Sequence, residues 1–444
     1  MNRKLVLLDL APWPSLLSLV RHDPREWIVW GALPAPVLSA FERLGVEVRD
    51  EPLPRPFHRA PLPVLLADVA RGVVVPALGH PLPSRWPIVR RLTAEGLPVF
   101  VARHGRVEPA PPVPTNDAFA WALDRLEQPP VYSSSTAPEI ACVRADLLGD
   151  LLLTVPALAA AAEWHPLRLY VRQEWVEWMM RLLPARCETR GLRLVPWDGS
   201  TFDPAALAID LSPPGWTSPL TPAIARAIPA RSHVRLSGSN PHAGLSELLA
   251  SELDLTVGWP DRKTQRGSVG VLVPTGSSLE RHLPAADWAG AVERVSAAVG
   301  VRDWLVLDPD GMVDPGLRAA LPGVRVLTGR QSPETLIDLM GGAAIVVGVS
   351  TALTHLAALT GTPAIVLEHP TTVPGLYRAP VNFVEYVRPA RPWWRSDPTD
   401  DDVARALMEP SNSYGFQDGE WLRAIDTAID RVMAEAFASR SCAA

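Results

Sequence analysis

Short runs of apolar, β-branched residues alternate with longer helical patterns along almost the whole chain, and this alternation limits the fold more than any other feature. Apolar runs of four to eight residues separated by helix-length segments are typical of βαβ units, whose strands pair into parallel sheets. The alternation begins near Leu5 and starts again near Ile140 and near Val269. The sequence therefore predicts the α/β class, with three successive sheets.

Two polar stretches separate these three series. Residues 129–138 contain prolines and three consecutive serines, a composition suited to a linker, and residues 254–267 are polar and contain Pro260. We expect an N-terminal Rossmann-like or flavodoxin-like module over residues 1–135. Two Rossmann-like lobes follow over residues 136–258 and 259–444, the second ending in a C-terminal helix. Tandem sheets of this kind place the carboxyl ends of both strand sets around one crevice, where ligands bind.

Composition excludes several classes of function. The 444 residues carry a net charge of −6, which argues against a nucleic-acid partner because such binding depends on clustered cations. Its three cysteines show no metal-ligand spacing, as expected in a reducing compartment. No run approaches the roughly 18 apolar residues of a spanning helix. We therefore expect a cytoplasmic protein with at most peripheral membrane contact.

The first informative segment, CVRADLLGDLLLTVPAL, places Asp150 at the start of a helix that follows a buried strand. One interpretation is purely structural: a carboxylate in the first turn complements the helix dipole, and capping residues contribute about 0.5 to 2 kcal/mol. The other is chemical, since a carboxylate facing the crevice can accept a proton.

The second segment, residues 271–295, runs from a buried strand into a loop rich in Thr, Gly and Ser, followed by a proline and an amphipathic helix. Backbone N–H groups and hydroxyls in such loops can face an anion. An ordinary βα turn would show the same sequence pattern.

The third segment, residues 327–371, has a strand that leads through a polar loop into a helix beginning near Ser350. The free N–H groups of Ala352, Leu353 and Thr354 form a ready pyrophosphate site. His355 either hydrogen-bonds phosphate or sugar there, or packs as a buried histidine on an apolar helix.

Over about residues 137–438, these segments resemble family 9 glycosyltransferases, the bacterial heptosyltransferases of lipopolysaccharide synthesis. The first resembles the loop pattern LGDxxxTxPAL. The second resembles hPGxxxxxKxWP, with Arg281 at the usual Lys position. The third follows the family in the order of its elements.

This resemblance implies a GT-B-type pair of Rossmann-like domains, here with an additional N-terminal α/β module. It implies that Asp150 is the catalytic base and that Arg281 neutralises the leaving diphosphate. The implied donor-binding residues lie in the second and third segments: Thr275, Gly276, Ser277, Ser278, Ser350, Thr351, Ala352, Leu353 and His355.

The implied function is inverting, metal-independent transfer of a heptose or related sugar from a nucleoside diphosphate sugar, with ADP-heptose as one candidate. The acceptor is a hydroxyl of a glycan, a lipid-linked molecule or a small molecule. No cofactor beyond the donor is expected, and no metal, because no acidic pair suited to a divalent ion occurs in a βα loop.

The chain also departs from the family pattern. Ser350-Thr351-Ala352 stands where an acidic residue, Ser or Thr, and Gly are usual, and His369 replaces the usual glycine of LxGPT. A hydroxyl cannot bind sugar hydroxyls with the charge-assisted strength of a carboxylate. The alternative function is therefore a catalytically degenerate protein that binds a sugar nucleotide or glycan. A nucleotide-sugar epimerase is disfavoured because such enzymes rely on several acidic residues.

Overall fold

The computed structural model shows three sheets of parallel strands, apart from one antiparallel pair in the first, and each sheet has its own helices. Discrete parts of the chain are described: residues 4–8, 16, 20, 24–31, 33–49, 70–76, 92–93, 97–103, 106–110, 121–122, 125–126, 128–134, 136–145, 147–183, 191–197, 202–212, 220–236, 244–263, 267–275, 283–309, 313, 315–368, 377–388 and 419–441.

The first sheet has six strands in the order β3-β2-β1-β4-β5-β6, and all its pairs are parallel except β5 with β6. Helix α1 (Ala35–Leu44) connects β2 to β3 and ends at Gly45, whose φ of 80° suits glycine. The strands are β1 (Lys4–Leu8), β2 (Trp27–Trp30), β3 (Glu47–Arg49), β4 (Ala70–Pro76), β5 (Val99–Arg103) and β6 (Arg106–Pro109).

The second sheet has five parallel strands in the order β11-β10-β7-β8-β9. Its strands are β7 (Ile140–Val143), β8 (Leu167–Val171), β9 (Leu192–Pro196), β10 (Ala205–Asp210) and β11 (Ala230–Arg235). Its helices are α2 (Leu148–Trp164), α3 (Val176–Leu182), α4 (Leu220–Ala227) and α5 (Leu245–Glu252).

The third sheet has six parallel strands in the order β14-β13-β12-β15-β16-β17. Its strands are β12 (Val269–Val273), β13 (Asp303–Asp308), β14 (Arg325–Thr328), β15 (Ile345–Val349), β16 (Ala364–Leu367) and β17 (Val384–Val387). Its helices are α6 (Ala285–Val299), α7 (Pro315–Ala320), α8 (Pro333–Gly342), α9 (Ala352–Leu359) and the C-terminal α10 (Glu420–Ser441).

The core explains why these segments form parallel sheets. Every residue of β7, β8, β15 and β16 is buried, as expected for inner strands covered by helices on both faces. Helix α2 is rich in alanine and leucine and is largely buried. Burial of apolar area, at about 25 cal/mol per Å², is the main favourable term that holds these layers together.

All three sheets share one topological rule: the first strand is central and the fourth lies on its other side. The strand order therefore reverses between β7 and β10 in the second sheet and between β12 and β15 in the third. Such switch points open a crevice beyond the carboxyl ends of the strands. The predicted α/β class is confirmed. A pair of Rossmann-like sheets follows an N-terminal sheet.

The chain divides into two compact units: residues 1–117, 275–288 and 389–422 form one, and residues 118–274, 289–388 and 423–444 form the other. The second and third sheets belong to the second unit. The boundaries predicted at 135 and 258 stay predictions. No helix among the described residues is both long and apolar enough to cross a membrane.

The segment just before the predicted boundary contacts the second sheet. The guanidinium of Arg125, which is 7% exposed, donates hydrogen bonds to the carbonyls of Arg226 at 2.6 Å and Pro129 at 3.0 Å. Tyr132 forms a parallel bridge to Ala230 of β11. This segment therefore extends the edge of the sheet.

We predict that a truncated chain beginning at Ala118 is more stable than one beginning at Ser134, because only the longer one keeps the Arg125 hydrogen bonds. Hydrogen bonds from a charged donor contribute about 1.5 to 3 kcal/mol, so the difference should be about 2 kcal/mol in urea unfolding. Arg125→Ala in the full chain should show a loss of the same order. Equal stability of the two truncated chains would contradict this.

Candidate functional site

The first turns of helices α2 and α9 meet where the switch points predict a crevice. A Cβ added at Gly149 in α2 would lie 3.3 Å from the backbone nitrogen of Ala352 and 3.4 Å from Cδ2 of His355. A glycine at this position lets the two backbones approach closely. Each helix start carries a partial positive charge of roughly half a unit, so two such charges converge at one place.

Asp150 is the third residue of α2 and is 5% exposed. Its Oδ2 forms a buried ion pair with Nη2 of Arg144. Arg144 is fully buried, and its Nη1 donates to the carbonyl of Leu211 at 3.0 Å. The predicted base is therefore an oriented carboxylate with a cationic partner.

A second carboxylate, Asp210, lies on the other side of this switch point. Asp210 ends β10 and pairs in register with Val143, the last residue of β7. Its Oδ1 accepts from the backbone N–H of Ser212 at 2.9 Å, and its Oδ2 lies 3.5 Å from Nε of Arg235. Burial raises the pKa of Asp210, an effect that Ser212, Arg235 and Arg144 partly offset.

The loop that joins β7 to α2 is held from both sides. Its Ala145 N–H donates to Oγ1 of Thr221 in α4 at 2.9 Å, and the Ala145 carbonyl accepts from Nε of Arg172, the residue after β8. The Arg144 N–H donates to the carbonyl of Tyr170 at 3.0 Å. Neighbouring strands thus fix the backbone that presents Asp150.

Helix α9 forms the other half of the site. The Thr351 N–H donates to Oγ1 of Thr354 at 2.9 Å, and that hydroxyl contacts the carbonyl of Val349 at 3.1 Å. Ser350 is 7% exposed and His355 is 4% exposed. Ala352 and Leu353 supply first-turn N–H groups, which have no acceptor within a helix.

The structure thus brings one set of predicted residues together in the second unit: Asp150, Ser350, Thr351, Ala352, Leu353 and His355. Thr275 is half-buried and is the second residue after β12. Four further predicted residues lie outside the described residues: Gly276, Ser277, Ser278 and Arg281. His369, the departure in the strand-end motif, lies outside them too.

Sequence reasoning missed Arg144, Asp210 and Arg172. Each stands at the carboxyl end of a strand of the second sheet. Asp210 is the last residue of β10, Arg144 directly follows β7, and Arg172 directly follows β8. A charged residue at the end of an apolar run is itself a signal in a parallel sheet, because that end faces the ligand crevice.

The carboxyl edge of the third sheet carries its own ion cluster. Glu368, directly after β16, is 1% exposed and accepts hydrogen bonds from Nε and Nη2 of Arg378, at 3.3 and 2.6 Å. Nη1 of Arg388 lies 3.8 Å away, and the guanidinium of Arg378 stacks 5.2 Å from the ring centre of Tyr386. Two cations thus hold one interior carboxylate beside β17.

A groove of about 560 Å³ lies elsewhere, at the C-terminal ends of α8 and α9. Its Lys263 ammonium already donates to the carbonyl of Gly341 at 2.9 Å. The groove lies away from the strand ends that carry the polar residues above, so we do not assign it to the site. Among the described residues, no group of His, Cys, Asp and Glu could hold a metal ion.

No protein-family model matches the chain, and no curated protein sequence matches it. Several solved structures are similar to it. E. coli heptosyltransferase WaaC with ADP is 16% identical over 62% of this chain and 99% of that chain, with a TM-score of 0.43. The glycosyl transferase family 9 structure from Veillonella parvula DSM 2008 is 14% identical over 67% and 99%, with a TM-score of 0.44.

A third similar structure is the iron-containing dodecameric glycosyltransferase TibC from enterotoxigenic E. coli H10407. It is 11% identical over 68% of this chain and 78% of that chain, with a TM-score of 0.41. The family that the sequence resembles is thus present among the solved structures to which this chain is similar. Identities and TM-scores of this size assign no residue roles, which therefore depend on the geometry above.

We predict that Asp210→Asn gains stability relative to the wild type as pH rises from 4 to 7. A carboxyl whose folded pKa is raised binds its proton more tightly in the folded state, so its contribution to stability falls as pH rises from the unfolded pKa, about 3.9, through the folded one. The amide keeps an acceptor for the Ser212 N–H. Urea unfolding at several pH values measures the difference, and a constant difference across this range would contradict the assignment.

Proposed function

We propose that this chain is an inverting glycosyltransferase that moves a heptose or related sugar from a nucleoside diphosphate donor to an acceptor hydroxyl, without a metal ion. The observation that carries the proposal is the meeting of two helix N-termini beside an oriented carboxylate, at Gly149, Ala352 and Asp150. Helix starts bind phosphate, and a carboxylate accepts the proton that an attacking hydroxyl must lose.

In the proposed reaction the acceptor oxygen attacks the anomeric carbon of the donor. The acceptor proton passes to the Asp150 carboxylate as the new C–O bond forms. The bond between the anomeric carbon and the phosphate oxygen breaks on the opposite side, and its electron pair leaves with the nucleoside diphosphate. One displacement inverts the anomeric configuration.

Preorganised charge should stabilise the departing diphosphate. The α9 start supports this because the backbone nitrogen of Ala352 lies close to Gly149, the residue before Asp150, and the buried His355 approaches the same glycine. Thr275, Gly276, Ser277, Ser278 and Arg281 are assigned donor contacts from the sequence resemblance. ADP-heptose is one candidate donor, and the acceptor is a glycan, a lipid-linked molecule or a small molecule in the cytoplasm.

A second candidate is a sugar-nucleotide or glycan binding protein without turnover. It is favoured by Ser350, which stands where relatives place the carboxylate expected to hold donor hydroxyls. Release of free nucleoside diphosphate separates the two candidates, since a binder leaves the donor intact.

We predict that Asp150→Asn lowers the rate of nucleoside diphosphate release at least about a hundredfold, because general base catalysis contributes 10²- to 10⁴-fold. Donor affinity should change little, since an amide keeps the shape of the side chain. The measurements are ADP release from ADP-heptose and other nucleotide sugars, and donor binding by calorimetry. A variant as fast as the wild type would remove Asp150 from the mechanism.

We predict that Arg281→Ala slows turnover more than about tenfold, which corresponds to about 1.4 kcal/mol of lost transition-state stabilisation. Arg281→Lys should retain part of the rate because the family resemblance places Lys there. Chelator should leave the rates of wild type and variants unchanged. Strict dependence on a divalent ion, or an unchanged Arg281→Ala rate, would show that another group neutralises the leaving charge.

A further inference from the structure

We propose that Arg144 is the positioning residue of the catalytic carboxylate: it holds Asp150 ionised and fixes which carboxylate oxygen faces away from the acceptor. The inference rests on the proposed function, because it gives Arg144 a role in that reaction. It adds a residue and a pH dependence that the sequence motifs did not indicate.

Both members of the ion pair between Arg144 and Asp150 are buried. Arg144 has 0% exposed side-chain surface and Asp150 has 8%. Removing an ion from water costs several kcal/mol unless an opposite charge and hydrogen bonds compensate. The guanidinium therefore constrains where the Asp150 carboxylate lies, and the ion pair engages its Oδ2.

Arg144 is also held in place by its neighbours. Arg144 is fixed at its backbone by the Tyr170 carbonyl and at its Nη1 by the Leu211 carbonyl, each at 3.0 Å. Both partners lie on strands adjacent to β7 or directly after one. The guanidinium cannot follow a moving carboxylate, so the ion pair sets the orientation of Asp150 before substrate binds, as preorganised catalysis requires.

The charged and titratable groups that face Asp150 come from several elements. Arg144 contacts it directly from the loop after β7, His355 reaches the same turn from α9, and Asp210 lies beyond Arg144 at the end of β10 with Arg235 next to it. Arg144 forms a direct ion pair with Asp150. A neighbouring cation favours the ionised carboxylate, which is the form that accepts a proton.

The test is the pH dependence of nucleoside diphosphate release in Arg144→Met and Arg144→Lys. In the plot of log rate against pH, loss of the cation should displace the acid limb to higher pH by about one unit or more. A carboxylate without a neighbouring cation holds its proton more tightly. The rate on the plateau should fall at least about tenfold, with donor KM within about twofold. Arg144→Lys should show a smaller displacement of the acid limb and a smaller fall in the plateau rate than Arg144→Met. Lysine keeps the positive charge but lacks the planar guanidinium.

A matched control is available on the neighbouring strand. Arg168 is also fully buried, and its Nε lies 2.9 Å from Oε2 of Glu139. Arg168→Met should lower the unfolding midpoint to a comparable extent and leave the acid limb where it is. If Arg168→Met displaced the acid limb to higher pH by the same amount, the displacement would be an effect of general destabilisation of the sheet. That result would overturn the proposal.

A readout without turnover separates this inference from the proposed function. A double-mutant cycle of Arg144→Met and Asp150→Asn in urea unfolding should show strong coupling, with the second substitution costing much less once the first is present. A wild type that releases no nucleoside diphosphate from any donor overturns the proposed function, and the positioning role with it. An active wild type whose acid limb is unmoved in Arg144→Met, or a cycle without coupling, overturns the positioning role alone.

Discussion

A guanidinium in the interior of the second sheet is the constraint on which the rest of the site depends. Arg144 follows a fully buried strand, and the fold does not let it reach water. Removing such an ion from water costs several kcal/mol, so the buried guanidinium requires compensating partners. Asp150 meets this requirement, and the loop between them is held by Thr221 and Arg172. The geometry of the proposed base is thus a consequence of how the sheet buries its first strand end.

The same logic recurs along the carboxyl edges of both sheets in the second unit. Parallel strands end side by side, so the first polar residue after each apolar run joins a row of polar groups. In the third sheet that row includes Asp308, Ser350 and Glu368, each less than 10% exposed. Glu368 is paired with Arg378 and Arg388 just as Asp150 is paired with Arg144, and both clusters stand where the helices leave the strand ends open to a ligand. Interior charge is tolerated at these edges because it comes in compensated sets.

The sequence predicted every inner strand of the three sheets but only one of the two edge strands of each sheet. The β-rich runs predicted β7, β8, β15 and β16, which are buried throughout. It did not predict β6, β11 or β17, each of which is one edge strand of its sheet, although it did predict the opposite edges β3, β9 and β14. Strand β11 exposes half of its residues and buries only one, so its pattern of apolar and polar residues is weak and its pairing depends on the backbone of β10.

The site shows the same division between local and long-range information. Asp150 was placed at a helix start because that signal is local to one segment. Its partner could not be predicted in the same way, since a six-residue separation across a loop does not fix which side chains meet. The approach of Gly149 to Ala352 joins residues about two hundred positions apart, and only the packing of α2 against α9 reveals it. Family patterns supplied the candidates, and tertiary contacts decided their arrangement.

Charge balance connects these observations to the kind of donor the site would favour. The negative charge of Asp150 is compensated locally by Arg144, so it subtracts little from the positive ends of α2 and α9. Ser350, just before α9, is uncharged and adds no second negative charge at the same place. The two helix starts each carry a partial charge of roughly +0.5. They can then bind a ligand anion without an uncompensated carboxylate that competes with it. On the proposed function, donor recognition in this chain relies on the diphosphate more than on the sugar hydroxyls. Selectivity among sugars would then be weak, because hydroxyl recognition without a charged acceptor gives smaller differences in free energy than recognition by a carboxylate.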